Sequence, residues 1–109
     1  MFQRDLVTVQ NLLKRIPKGK ITTYKDLAKA IGKPRSARYV GYLLKNNPEP
    51  DKYSCYKVVK SDGKIGGYSG MGGVKGKIRR LQKDGVKIEA GRIKDFRERL
   101  FNFKFQISN

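Results

Sequence analysis

Residues 22–45 read TTYKDLAKAIGKPRSARYVGYLLK, and this stretch decides the fold. Ile21, Thr22 and Thr23 are β-branched and extended, and either threonine can cap the next helix. Tyr24 to Ile31 has Leu27, Ala28 and Ile31 on one helical face. Gly32-Lys33-Pro34 makes a turn. Ser36 is then the expected cap of a second helix to about Lys45, with Val40, Leu43 and Leu44 inward. Helix, short glycine-containing turn and helix outline a helix-turn-helix over about residues 24–45.

Working outward, Phe2 to Arg15 carries Phe2, Leu6, Val9, Leu13 and Ile16 at helical spacing, and Pro17-Lys18-Gly19 ends that helix. Downstream, Pro48 and Pro50 stiffen the chain into an extended path. Tyr53 to Val59 reads as a short buried strand. Ser61-Asp62-Gly63-Lys64 is a tight turn, and Ile65 to Gly73 is a glycine-rich loop without a phosphate-binding fingerprint. Val74 to Lys83 reads as a basic helix stopped by Asp84-Gly85. Val86–Ile88 and Arg92–Ile93 flank Ala90-Gly91 like a hairpin. Asp95 to Phe101 suits a helical turn and Phe103–Phe105 a tail strand. The expectation is a single domain over 1–109: the helix-turn-helix, an acceptor strand with glycine-rich loop at about 53–73, and a C-terminal helix and hairpin at about 74–109.

The chain has 109 residues, 26 Lys plus Arg against 9 Asp plus Glu, and a net charge of +17. So large a charge on so small a chain points to a polyanion, most simply nucleic acid. Residues 14–45 carry net +9 and residues 75–109 net +7, around a middle of net +1. Two basic blocks around a near-neutral centre suggest a phosphate-contacting rim. No apolar run approaches a membrane span, and no signal-peptide core follows Met1. With one cysteine and no histidine, an internal disulfide, a zinc or haem site and a histidine base are all excluded. No metal, cofactor or membrane partner is therefore expected.

A lone cysteine is either a small buried hydrophobe or a nucleophile. Cys55 follows the stiff Asn47–Pro50 segment and precedes a loop able to form a pocket wall. Lys52, Lys57 and Lys60 surround it in sequence, and nearby cations favour thiolate. Taken singly, Tyr24 and Tyr68 read as core fillers, Gly41 as a helix-packing residue and Arg38 as a solvated helix face.

Taken in order, these residues resemble a known family. Ile16-Pro17-x-Gly19-x-Ile21-x-Thr23-Tyr24-x-x-Leu27-Ala28 opens the likeness, and Gly32-x-Pro34-x-Ser36-Ala37-Arg38-x-Val40-Gly41 continues it. Asn47-Pro48-x-Pro50 and Cys55-x-x-Val58-Val59-x-Ser61-Asp62-Gly63-x-x-Gly66-Gly67-Tyr68-Ser69-Gly70 complete it. The pattern is similar to the DNA-binding, active-site domain of the O6-alkylguanine-DNA alkyltransferases, and spans about Ile16 to Gly85. The resemblance implies a mainly α fold with a small β element, a winged helix-turn-helix-like DNA-binding domain. It implies that O6-alkylguanine in duplex DNA is flipped through the minor groove and its alkyl group moved irreversibly to Cys55.

Residue by residue, the likeness makes Cys55 the acceptor. Tyr24 would donate to guanine N3, and Tyr68 and Ser69 would line the pocket near guanine O6. Asn47 would be the hinge between recognition helix and active-site segment. Arg38 would fill the gap left by the flipped base, while Ala37 and Gly41 let the helix approach the groove. Ser36, Arg35 and Lys57 complete the expected DNA contacts. The partner implied is damaged duplex DNA, with the protein a monomer, intracellular (cytoplasmic or nucleoid), and fused to or associated with another repair domain.

The sequence also departs from the family. Where the family writes Pro-Cys-His-Arg, this chain writes Ser54-Cys55-Tyr56-Lys57. The family histidine relays the thiol proton and is oriented by a glutamate. Tyr56 stands in for the histidine, either as a hydroxyl that holds the relay water or as a phenolate if Lys57 or Lys52 lowers its pKa, and Asp84 is the nearest match to the glutamate. Lys57 keeps the arginine's charge without its bidentate fork. The alternative function is a non-catalytic lesion sensor that recruits other repair factors. Such short alkyltransferase-like proteins usually lack the cysteine that this chain keeps. A plain basic helix-turn-helix regulator would leave the Cys55-to-Gly70 segment unexplained.

Overall fold

Leu6, Val9, Leu13 and Ile16 recur at helical spacing and are all buried, so the first helix rests on the core along one stripe. The computed structural model describes residues 2–103, apart from the side chain of Phe2. The elements run α1 (Phe2–Lys14), β1 (Thr22–Thr23), α2 (Tyr24–Ala30), α3 (Ala37–Lys45), a 3₁₀ turn (Cys55–Lys57), β2 (Val58–Val59), α4 (Gly73–Lys83), β3 (Ile88–Glu89), β4 (Arg92–Ile93) and α5 (Phe96–Arg99). The molecule is mostly helical with two small sheets.

Thr23 is the cap of α2: its Oγ1 accepts the Asp26 N–H at 3.0 Å. Ser36 precedes α3 as expected, but its side chain makes no cap bond. Its backbone carbonyl accepts the Val40 N–H at 3.1 Å instead. The hairpin forms with Ala90 and Gly91 both at positive φ, as a two-residue primed turn requires.

The stretch Tyr53–Val59 is not the expected strand. Only Val58 and Val59 pair, parallel to Thr22 and Thr23. In this parallel register Lys57 would have to pair with Ile21, whose N–H and carbonyl are bonded instead to Arg99 and Phe101. Upstream, Ser54 turns the chain at φ 59 and ψ 38, and the Cys55 N–H donates to the Pro50 carbonyl at 3.1 Å. Local turn bonds thus replace the ladder. The expected strand over Phe103–Phe105 lies outside the described residues except for Phe103, which is buried.

This short parallel ribbon separates two apolar clusters. Val58 packs with Leu13, Leu27, Val40 and Leu43 under α1–α3. Val59 packs with Ile21, Ile65, Leu81, Val86 and Ile93 under α4 and the hairpin. Successive residues of a strand face opposite sides, and the two valines feed one cluster each. The other edge of Ile21 is closed by the chain after α5: Ile21 N–H donates to Arg99, and Phe101 N–H to Ile21, both at 2.8 Å.

Ser54 gives a test of the turn that presents Cys55. A left-handed serine carries about 1 kcal/mol of strain. Ser54→Gly should therefore be neutral or stabilising, the relief offsetting glycine's extra unfolded-state freedom. Ser54→Pro should cost more than about 1 kcal/mol, because proline cannot reach positive φ. Urea midpoints of the three proteins measure this, and a proline variant as stable as wild type would reject the turn geometry.

Candidate functional site

Cys55 sits where α3, the 3₁₀ turn and the glycine-rich loop meet. It is 5% exposed, and its Sγ accepts the Asn47 Nδ2–H at 3.1 Å. The other end of Asn47 is also used: Oδ1 accepts Gln10 Nε2 at 3.0 Å and the Glu49 N–H at 3.1 Å. One buried amide thus links α1, the proline segment and the thiol. The thiol opens into a cavity of about 440 Å³ lined by Tyr24, Gly41, Leu44, Lys45, Cys55, Gly67, Tyr68 and Ser69. That size suits a small organic ligand. A neighbouring groove of about 390 Å³ shares Tyr24 and Gly41 with it and adds Lys25, Ala37, Arg38, Lys60, Ser61 and Asp62.

The fold therefore gathers Tyr24, Gly41, Tyr68 and Ser69 around Cys55, and sets Ala37 and exposed Arg38 on the adjoining groove. A Cβ on Gly41 would lie 4.0 Å from the Tyr24 ring, so α3 passes closely over that wall. Arg35 is exposed and Ser36 half-buried just ahead of α3, outside both linings. Ser69 Oγ makes only a long 3.5 Å contact to the Leu44 carbonyl.

Lys57 is not at this surface. It is buried, with Nζ donating to the Ile16 carbonyl at 2.7 Å, which satisfies a backbone acceptor at the end of α1. Lys52 is exposed and pairs with Glu49 at 3.5 Å, and Lys60 is exposed on the groove. The expected trio of lysines does not surround the thiol.

The cation that acts on Cys55 is Lys77, which sequence reasoning missed. It is fully buried, and its Nζ donates to the Val58 carbonyl at 2.6 Å and the Gly67 carbonyl at 3.0 Å. Burial depresses its pKa from 10.5 to about 8 while Cys55 pulls it back up. The sequence signal was its spacing: Lys77 lies four residues before Leu81, on the inward face of α4. Burial raises the Cys55 thiol above its ordinary value, and the Asn47 hydrogen bond and the Lys77 charge oppose that rise.

Tyr56 and Asp84 do meet, with Tyr56 Oη donating to Asp84 Oδ2 at 2.5 Å. Of the two states open to the Tyr56 hydroxyl, neutral or phenolate, its surroundings favour the neutral one. Burial first, then Asp84, push the Tyr56 hydroxyl well above the ordinary tyrosine value, so it stays protonated. Cys55 and Tyr56 belong to different apolar clusters, and Tyr56 is absent from the cavity lining. Burial also raises the Tyr24 hydroxyl, leaving it a neutral donor at the cavity wall.

Sequence reasoning missed two further residues. Asp51 Oδ1 accepts the Tyr68 hydroxyl and Arg80 Nη1, the latter at 2.6 Å. The Arg80 guanidinium lies 4.8 Å from the centre of the Tyr56 ring. Among the described residues, no three His, Cys, Asp or Glu side chains group as metal ligands, and no helix is long and apolar enough to cross a membrane.

Comparison with known proteins shows the family and the fold. The family described as 6-O-methylguanine DNA methyltransferase, DNA binding domain, matches residues 3–86. A bifunctional methyltransferase/endonuclease of Thermoplasma volcanium is 47% identical over 93 residues, covering 84% of this chain and 29% of the relative. The methylated-DNA–protein-cysteine methyltransferase of Rattus norvegicus is 43% identical over 75 residues, covering 66% of this chain and 36% of the relative. The chain thus spans between about a third and a half of the length of the curated relatives it matches. Among solved structures, S. pombe Atl1 in complex with damaged DNA containing O6-carboxymethylguanine aligns with a TM-score of 0.79 at 27% identity, covering 92% of this chain and 96% of that one. The helix-turn-helix, the cysteine cavity beside it and these likenesses identify the chain as a member of the 6-O-methylguanine DNA methyltransferase family, represented by its DNA-binding domain.

Proposed function

We propose that this chain binds duplex DNA through α2 and α3, takes a flipped O6-alkylguanine into the Cys55 cavity and accepts its alkyl group on Sγ. The observation that carries the reading is the grouping of Tyr24, Tyr68, Ser69 and Cys55 in one cavity that adjoins Arg38 and Ala37. A guanine in the stack cannot present its O6 substituent to a thiol, so extrusion is required. Arg38 on the exposed side of α3 suits the vacated space, being charged, planar and able to stack.

In the transfer step, Cys55 Sγ attacks the alkyl carbon, an S–C bond forms and the C–O6 bond breaks. The electron pair stays on the guanine, and the proton of the thiol ends on the guanine ring. Lys77 is the buried cation that the developing thiolate faces, and Tyr24 is a neutral donor for the leaving base. Tyr56, protonated on Asp84, orients α4 against the acceptor turn rather than taking the proton. Endonuclease-linked relatives support association with a second DNA-repair activity.

A second reading, a binding-only sensor, is favoured by the extent of the likeness to Atl1. Intact mass after incubation with an O6-methylguanine duplex separates the two. Transfer predicts one added methylene localised to Cys55 and absent in Cys55→Ser. Tight binding with no added mass would reject transfer and leave the sensor.

Lys77→Met should slow transfer near pH 7 on the order of tenfold or more, since each lost unit of thiol stabilisation is worth about 1.4 kcal/mol. The rate–pH profile should shift upward, because removing the cation raises the thiol pKa. Lys77 also leaves a stability signature. Its folded pKa of about 8 lies below the ordinary 10.5, so across that window the unfolded chain holds more protons. Stability contributed through Lys77 therefore rises with pH from about 8 to 10.5. Urea unfolding of Cys55→Ser with and without Lys77→Met measures this free of the thiol, and pH-parallel curves would contradict it.

Duplex affinity should fall by orders of magnitude between about 50 and 200 mM salt. Arg38→Ala should weaken binding to the lesion duplex more than to undamaged duplex. Equal losses would reduce Arg38 to a phosphate contact.

A further inference from the structure

The Asp51 carboxylate joins three segments that frame the cavity. It lies in the turn between Pro50 and Cys55. Its Oδ1 accepts both the Tyr68 hydroxyl, in a short bond, and Arg80 Nη1 of α4 at 2.6 Å. Its Oδ2 accepts the Met71 backbone N–H of the glycine-rich loop at 3.4 Å. Arg80 Nη1 also reaches Tyr68 Oη at 3.3 Å. The Tyr68 oxygen is therefore held from two sides.

Tyr68 lines the Cys55 cavity, and it is confined from behind as well. A Cβ on Gly70 would lie 2.2 Å from Tyr68 Cζ, so the ring occupies the space a side chain there would take. The single hydroxyl proton is directed at Asp51, and what Tyr68 offers the cavity is a wall rather than a donor. The hydrogen bond from Tyr68 is the largest influence keeping the Asp51 carboxyl below its ordinary range, so the acceptor stays ionised.

Asp51 and Arg80 are 42% and 39% exposed in their side chains. Ion pairs this exposed add little to stability. What this one controls is where a cavity wall stands. Resting on the alkyl-transfer reading above, we propose that Asp51 and Arg80 are positioning residues that limit the size of the accepted alkyl group by fixing Tyr68. A methyl group leaves the wall untouched. A benzyl group has to displace the ring and break both bonds to its oxygen.

Single-turnover transfer from duplexes carrying O6-methylguanine or O6-benzylguanine tests this. Asp51→Asn and Arg80→Met should each raise the benzyl-to-methyl rate ratio about tenfold, the low end of what one apolar group is worth in a fitted pocket. Tyr68→Phe, which removes only the tethered hydroxyl, should do the same. Arg80→Lys, which keeps a charge towards Asp51, should stay nearer wild type. The double variant Asp51→Asn/Arg80→Met should go no further than either single one, because both act through one ring. A ratio unmoved in Asp51→Asn, Arg80→Met and Tyr68→Phe, with both rates falling together, would overturn the proposal. If wild type transfers neither group, the transfer reading fails instead. The same size preference is then read as the ratio of duplex dissociation constants in a Cys55→Ser background, where an unchanged ratio overturns the clamp.

Discussion

The Asn47 side chain is the constraint on which the site depends. Its amide makes three hydrogen bonds, to Gln10 on α1, to the Glu49 backbone and to Cys55 Sγ. Each joins a segment that the others cannot hold. The residue is buried, so an unmade bond there would carry the full desolvation cost of a polar group. Pro48 and Pro50 stiffen the path away from it, and Ser54 reverses the chain so that Cys55 returns to the same amide. The position of the thiol relative to α3 is set by one residue just past the end of that helix.

The ribbon formed by β1 and β2 divides the labour behind that thiol. Because Val58 and Val59 face opposite clusters, the acceptor side and the α4 side form separate clusters that share a backbone and the Tyr68 ring. Lys77 crosses the divide. It rises from α4 to bind the Val58 carbonyl and the Gly67 carbonyl, and so places its charge next to the seam. Lys57, next to β2, points the other way and secures Ile16. Two buried lysines thus have unlike roles, decided by which carbonyls lie in reach.

Much of this was legible in the sequence. The 3.6-residue spacing of α1 to α4, the Thr23 cap and the Asp62-Gly63 turn are local features, and local rules found them. The residues grouped around Cys55 were found by resemblance rather than by spacing, since Tyr24 and Tyr68 lie far from it in the chain. What failed was whatever depended on a distant acceptor. Lys57 reads as a DNA contact and a cation beside Cys55 until Ile16, 41 residues away, supplies a carbonyl. The phenolate left open for Tyr56 is disfavoured once burial and Asp84 hold its proton. The stretch before Val58 reads as a strand because Tyr53, Cys55 and Tyr56 are apolar, whereas the next partner, Ile21, bonds through its backbone to Arg99 and Phe101.

The burial of Cys55 has a consequence for the lifetime of the molecule between encounters. Dissolved oxidants and alkylating agents attack thiolates that they can reach. Here the sulfur is nearly closed off, and burial holds it in the protonated form. Under the proposed chemistry each copy of the protein reacts once, so any stray encounter with a small electrophile would waste it. A sheltered, protonated sulfur keeps unreacted copies intact in a cell full of reactive small molecules, and leaves the cost of exposing it to the one substrate whose shape fills the cavity.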